Sequence, residues 1–180
     1  MDTIAWLFEA LSSWIPRLII VARTHGGVKW IKGKTIQELK PGLHWYWPLQ
    51  TTYALIPVGR QTLNTPSQTL LSKDRKQIVV SGVVVYSIKD VVQAIGQRNW
   101  DVDETANDIA QAAIVSIVTQ NTIDELMDNI CGKIEEDLTN ACKKQLRQYG
   151  VYVHRAALVD YSTCRTLNLV NPIQKQNLPT

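Results

Sequence analysis

The run QIVVSGVVVYSIK, Gln77 to Lys89, decides the fold. Its content of β-branched residues is high, which favours extended backbone, and Gly82 in its middle predicts a bulge or a close backbone approach. A long strand therefore lies near the centre of the 180-residue chain.

Upstream of it the texture is that of further short strands. LIIVA follows Pro16, VKWIK follows the pair Gly26 and Gly27, read as a turn, and LHWYW follows the turn dipeptide Pro41-Gly42 and stops at Pro48. Tyr53 to Val58 and Gln68 to Ser72 read as two more, with Pro57 and Pro66 keeping their surroundings at edges or bends. Short strands joined by short turns predict an antiparallel sheet.

Downstream the period changes to that of helices. Asp101 and Asp103 suit a first turn, and Val102, Ala106, Ile109, Ala113, Ile114 and Ile117 recur at helical spacing. Thr122 followed by Glu125 matches a capping box, opening a helix that buries Ile123, Leu126, Met127 and Ile130. A longer helix carries Ile134, Leu138, Ala141 and Leu146, then Lys143, Lys144 and Arg147 near its end, and meets Gly150 where a left-handed cap belongs. VYVHRAALVD, Val151 to Asp160, alternates as a returning strand. The fold class is α+β, and the last residues, NPIQKQNLPT, read as a frayed tail.

The chain is long enough for one sizeable core and short for two. Its 19 basic and 16 acidic residues nearly balance, without the basic excess of a dedicated nucleic-acid binder. That balance hides an asymmetry: residues 1–100 sum to +7 and residues 101–180 to −4. Between Asp101 and Asp137 ten acids accompany one base, Lys133. Cys131, Cys142 and Cys164 form no C-x-x-C spacing, and on one helix the first two would stand roughly 16 Å apart. Three reduced thiols in a reducing compartment follow.

Five of the six tryptophans fall in the first 47 residues of the chain. At the N-terminus Ile4, Leu7, Phe8, Leu11, Trp14, Ile15 and Leu18 share one helical stripe, with Asp2, Glu9, Ser12 and Ser13 opposite. Asp2 ahead of the apolar run argues against a secretory signal, and the uncharged run before Pro16 is shorter than the ~20 residues of a span. An interfacial helix with Trp6 and Trp14 at the headgroup boundary fits the pattern. KPGLHWYWPL, Lys40 to Leu49, adds a second aromatic cluster, in which alternation puts Trp45 and Trp47 on one face and His44 and Tyr46 on the other. Arg23, Lys29, Lys32, Lys34 and Lys40 are candidates for anionic headgroups, each contributing on the order of 1 kcal/mol close to the surface.

The order GGVKWIKGK, PGLHWYWPL, LLSKDRKQIVVSGVVVYSIKDV, an acidic helical stretch and YGVYVHRAALVD resembles the SPFH or Band 7 family of stomatins, prohibitins and flotillins, over residues 18–161. The resemblance implies an α+β domain (residues 18–100 strand-rich, 101–161 helical with a final strand) between an N-terminal membrane anchor, residues 1–17, and a tail, residues 162–180. It implies a monotopic, membrane-associated scaffold, its globular domain cytoplasmic, that self-assembles into rings or arrays and serves membrane proteases or channels. Many relatives continue into a long coiled coil, so a member stopping at Thr180 is expected to assemble through the globular domain or to have a narrower task.

Charge asymmetry suggests how copies meet: the basic sheet part of one against an acidic helical face of the next, with Asp124, Glu125, Asp128, Glu135 and Glu136 as interface candidates. A monomeric peripheral adaptor and, less favoured, a nucleic-acid-binding module are the rival readings. An enzyme is not expected. The three histidines are isolated, no G-x-S-x-G or H-E-x-x-H occurs, and Ser72, Lys73 and Asp74 are mere sequence neighbours. No cofactor, metal or nucleic acid is expected.

Overall fold

The computed structural model describes residues 15–97, 101–129 and 132–163. In chain order the strands are β1 (Arg17–Val21), β2 (His25–Ile31), β3 (Thr35–Leu39), β4 (Gly42–Tyr46), β5 (Thr51–Pro57), β6 (Gln61–Asn64), β7 (Gln68–Leu71) and β8 (Gln77–Ile88). A wide π-helical turn, Val92–Gln97, then leads to α1 (Val102–Gln120), α2 (Ile123–Asn129), α3 (Lys133–Leu146), a short 3-10 turn and β9 (Val151–Thr163). The α+β class expected from the sequence is what is found. Of the N-terminal helical stripe expected through Leu18, residues 1–14 lie outside the described ones, and Leu18 is not helical: it lies in β1, where Arg17–Val21 pair with β4.

β8 is the spine of the larger sheet. β9 pairs antiparallel along its whole length on one edge, while β6 and β7 share the other, β6 against Val83–Tyr86 and β7 against Gln77–Val80. Gly82 marks the junction. The register with β9 slips there, Ser81 facing Asp160 and Gly82 facing Leu158, so that Val159 is the extra residue of a bulge. A Cβ on Gly82 would come within 2.8 Å of Ile114 Cδ1 and 3.1 Å of the Ala157 carbonyl. Both readings of this glycine, bulge and close approach, therefore hold. Thr65 bridges the gap between β6 and β7: the Gly82 N–H donates to its hydroxyl, and its own N–H donates to the Gly82 carbonyl, both at 2.8 Å.

The helices cover one face of this sheet. Asp101 caps α1, its carboxylate accepting from the N–H groups of Asp103 at 2.9 Å and Glu104 at 3.1 Å. Val102, Ala106, Ala110, Ala113, Ile114, Ile117 and Val118 then enter the core with Ile78, Val80, Val84 and Tyr86 of β8. The small alanines bring α1 close to the sheet. The Tyr86 hydroxyl donates to the Asp103 carboxylate, tying the first turn of α1 to the strand. The capping box forms as expected, Thr122 N–H to Glu125 Oε2 at 2.9 Å and Glu125 N–H to Thr122 Oγ1 at 3.3 Å. On α3, the buried Thr139 hydroxyl accepts from the Ala156 N–H and donates to the Ala156 carbonyl, fastening the helix to β9. Gly150 ends the turn in the left-handed region at φ 71, and its carbonyl accepts from the N–H groups of both Lys89 and Asp90.

Several sequence readings need correction. Gly26 and Gly27 are no turn; they lie inside β2 because side chains of neighbouring elements occupy the space a Cβ would need, Val91 Cγ2 over Gly26 at 2.7 Å and Leu55 over Gly27. Ile109 and Ala141 are only half-buried, and Met127 is exposed because α2 is too short to turn a second full stripe inward. β9 runs three residues past Asp160, since β8 still offers partners there. β6 is absent from the sequence reading. Its four residues alternate half-buried and exposed, too weak a pattern to stand out.

A second, smaller assembly sits on the first. β3-β2-β5 form a three-stranded antiparallel sheet, and β1 pairs with β4 as a two-stranded ribbon. One face of β2, with Val28 and Trp30, packs on the main core with Ile36 and Ile56. The other face carries Gly27 between Leu39 and Leu55, its cross-strand neighbours, and on it rest Ile19, Val21 and Tyr46 of the ribbon. Gly27 leaves room for Leu55 to meet the ribbon.

Candidate functional site: an exposed apolar ribbon

Strand geometry sends successive side chains to opposite faces, so a ribbon lying on a sheet has one covered face and one free. In β1 the covered residues are Ile19, 6% exposed, and Val21, 3% exposed. The free ones are also apolar: Leu18 at 49% and Ile20 at 78%. Their cross-strand partners continue the surface, because Leu18 stands opposite Trp45, 61% exposed, and Ile20 opposite Leu43. Ile15, Trp47 and Leu49 extend it at the end where Arg17 pairs with Tyr46. Of the fourteen large apolar residues exposed among the described residues, seven thus lie between Ile15 and Leu49. Such a concentration along one ribbon, with four of the seven on its free face, marks a contact surface, unlike the scattered exposure normal on a soluble domain.

The turn that presents Trp47 and Leu49 is closed by backbone bonds. The N–H groups of Gln50 and Thr51 donate to the Trp47 carbonyl at 3.1 and 2.9 Å, and the Lys32 N–H donates to the Gln50 carbonyl at 2.6 Å. That last bond brings the exposed β2–β3 turn, Lys32 to Lys34, beside the tryptophan turn. Lys32 adopts φ 54 there and Gly33 φ 67. Arg17 opens β1 at the same end. Arg23 and Lys40 are exposed at the opposite end of the ribbon, where Val21 faces Gly42 and His44 Nε2 is 2.6 Å from the Lys40 carbonyl. The apolar face is therefore flanked by cations at both ends. Lys29 differs: half-buried in the middle of β2, it stands opposite Tyr53 and Gln37.

Of the residues that the sequence nominates for membrane contact, the structure brings together Ile15, Leu18, Trp45 and Trp47. It adds Ile20, Leu43 and Leu49, which sequence reading missed. Ile4, Trp6, Leu7, Phe8, Leu11 and Trp14 lie outside the described residues. Trp30 does not join the aromatic surface; it packs against the main core. Tyr46 points inward, its ring edge-on to Tyr53 at 5.1 Å between centroids. The acidic candidates separate by role. Glu125 is held in its capping box, where the Thr122 N–H keeps its carboxyl below the ordinary range. Glu135 grips the Arg155 guanidinium through both oxygens, at 2.5 and 3.0 Å. Asp124, Asp128 and Glu136 are exposed.

Other polar constellations read as structural. Ser72 and Lys76 both bind the Asp74 carboxylate, at 2.5 and 2.8 Å, and hold its pKa down to about 2. This network closes the β7–β8 hairpin around Arg75 at φ 59. The Ser87 hydroxyl lies 2.9 Å from His154 Nε2, and burial together with Arg60, Lys89 and Lys143 pushes that imidazole below its usual range. Burial pushes the Cys142 thiol up to about 11. Among the described residues no group of three or more His, Cys, Asp or Glu could hold a metal ion, and no helix is long and apolar enough to cross a membrane.

Comparison with known proteins agrees with this architecture. The model of the SPFH domain / Band 7 family matches residues 19–177. An uncharacterized protein of Methanocaldococcus jannaschii is 25% identical over 146 residues, 81% of this chain and 72% of that protein. Another, from Archaeoglobus fulgidus, is 22% identical over 157 residues, 87% of this chain and 62% of its own length. Stomatin-1 of Caenorhabditis elegans is 26% identical over 129 residues, which are 71% of this chain but only 38% of that protein.

Proposed function

This chain belongs to the SPFH domain / Band 7 family, and from that premise we propose that it is a non-enzymatic scaffold that lies on one leaflet of a membrane and self-assembles there into rings or arrays. The observation that carries the reading is the free face of the β1–β4 ribbon, Leu18, Ile20, Leu43 and Trp45, with cations at both ends. Each Leu or Ile fully transferred from water into the acyl region contributes ~1.5–3 kcal/mol. Trp at the boundary and Lys or Arg toward anionic headgroups add to this.

In this mechanism residues 1–17 form a monotopic anchor, and the chain enters the ribbon at Arg17, just after the exposed Ile15. Anchor and ribbon would then lie against the same leaflet. Residues 18–161 form the globular domain, which stays on the side where it was made, the cytoplasmic side, and residues 162–180 a tail. Packed neighbours confine lipids or a partner membrane protein, of which a protease or a channel is the class that the family suggests.

Vesicle flotation of the full chain, with neutral and with anionic lipid, tests the membrane contact, and electron microscopy of the extracted protein tests assembly. Flotation strengthened by anionic lipid, with rings or arrays, is expected. Flotation of a monomer would reduce the protein to a peripheral adaptor. Absence of flotation together with a nucleic-acid gel shift would replace the reading altogether.

A further inference from the structure

At the far end of α3 from its acidic first turn, a cleft of about 470 Å³ opens between the ends of β8 and β9 and the helix terminus. Three cations line it: Lys89 from the end of β8, and Lys143 and Arg147 from successive turns of one helix face. None of the three has a hydrogen-bonded or ion-paired side-chain carboxylate among the described residues. The acid in the lining, Asp90, is already used, its carboxylate capping the following turn through the Gln93 N–H at 3.0 Å. Lys89 is steadied over the Tyr152 ring, 5.5 Å from its centroid. Cations at a helix C-terminus complement its dipole, which accounts for Lys143 and Arg147. Lys89 comes from a different element, so the convergence needs another reason.

We propose that this cleft is a carboxylate-binding socket for the exposed acids of α2, Asp124 and Asp128, on a second copy of this chain. The proposal rests on the self-assembly reading above and names the surfaces that carry it. Asp124 and Asp128 stand one turn apart on α2, exposed, and neither is taken by a hydrogen bond or ion pair among the described residues. α3 spans roughly 21 Å at 1.5 Å per residue; Asp124 and Asp128 precede its first residue, while Lys143 lies in its last turn and Arg147 just past its end. A rigid helix keeps the two patches apart within one copy. Between copies they meet head to tail, a heterologous contact that closes into a ring or continues as a filament. Arg147 can engage a carboxylate through two parallel N–H bonds, and the apolar walls of Val151 and Val153 weaken competition from water.

The test uses the full chain in detergent or on vesicles, with mass photometry for assembly and flotation for membrane binding. Lys143→Glu with Arg147→Glu makes the socket acidic; Asp124→Lys with Asp128→Lys makes the face basic. Glu125 and Glu135 stay untouched because both are used within the fold. Each double variant alone is expected to lose association by roughly tenfold or more, with flotation unchanged, and an equimolar mixture of the two to recover it. Should a reversed variant fail to fold, Lys143→Gln with Arg147→Gln is expected to show the same loss of association. Parent-like assembly of both double variants would overturn these surfaces and leave the scaffold reading standing. Loss without recovery in the mixture would also overturn them, giving the socket to a different anion. A monomeric parent that still floats would overturn both this contact and self-assembly.

Discussion

Leu18 and Trp45 face each other across the β1–β4 ladder, and both side chains stand in solvent while their sequence neighbours Ile19 and Tyr46 pack inward. Replacing both exposed residues with Glu removes apolar area from the surface without touching the ribbon's packed face. Vesicle binding is expected to fall at least about tenfold, with the melting temperature nearly unchanged. Ile19→Ala should do the reverse, keeping the surface and costing about 2 kcal/mol or more in a denaturant titration. Equal binding by the Leu18→Glu, Trp45→Glu protein would take membrane contact away from the ribbon.

Gly27 gives a prediction about the layer beneath. A Cβ there would meet the Ala54 carbonyl at 2.6 Å as well as the Leu55 side chain, and a backbone oxygen does not yield as a side-chain tip does. Gly27→Ala is expected to destabilise the protein by ~1–3 kcal/mol through overpacking. The shift should appear in amide hydrogen exchange first across β2, β3 and β5. An unchanged urea midpoint would mean that β2 and β5 do not approach as closely at Gly27 as described.

Thr139 is buried on α3, and its hydroxyl serves both backbone groups of Ala156. Thr139→Val keeps the shape and removes both bonds, leaving a buried N–H and carbonyl unpaired at a cost of ~1–3 kcal/mol. Thr139→Ser should recover most of that stability. Failure of the serine variant to recover would point to packing of the methyl group instead.

How much of this is legible in the sequence follows from the strength of each local signal. β8, the capping box at Thr122 and Glu125 and the glycine end at Gly150 are readable because one residue type dictates one backbone geometry there. The free ribbon face is half readable. Alternation pairs Trp45 with Trp47, yet Leu18, Ile19, Ile20 and Val21 are all apolar, so sequence alone offers no choice of inward face for β1. That choice is made by Leu39 and Leu55, which sit far from β1 in sequence and meet it only after β2 has paired on both edges. Gly26 and Gly27 mislead for the same reason: a glycine needed for a turn and one needed for close packing look alike until the neighbours arrive. The socket is hidden because Lys89 joins Lys143 and Arg147 only through the β8–β9 pairing.

Asp74 yields the pH dependence. Lys76 and Ser72 hold its carboxyl at about 2, below the ordinary 3.8, so the folded hairpin favours the charged form. A depressed folded pKa means that the contribution is fully present above about 3.8 and is lost as pH falls from there through about 2. The carboxylate is exposed, so the effect on global stability is small and salt-screened. An NMR titration reads it directly: the Asp74 carboxyl should titrate near 2, and Lys76→Gln should move the midpoint upward toward 3.8. Asp74→Asn should loosen the β7–β8 turn at pH 7, seen as faster amide exchange at Arg75 and Lys76. A midpoint at the ordinary carboxylate value in the parent protein would show that the Ser72–Asp74–Lys76 network does not persist in solution.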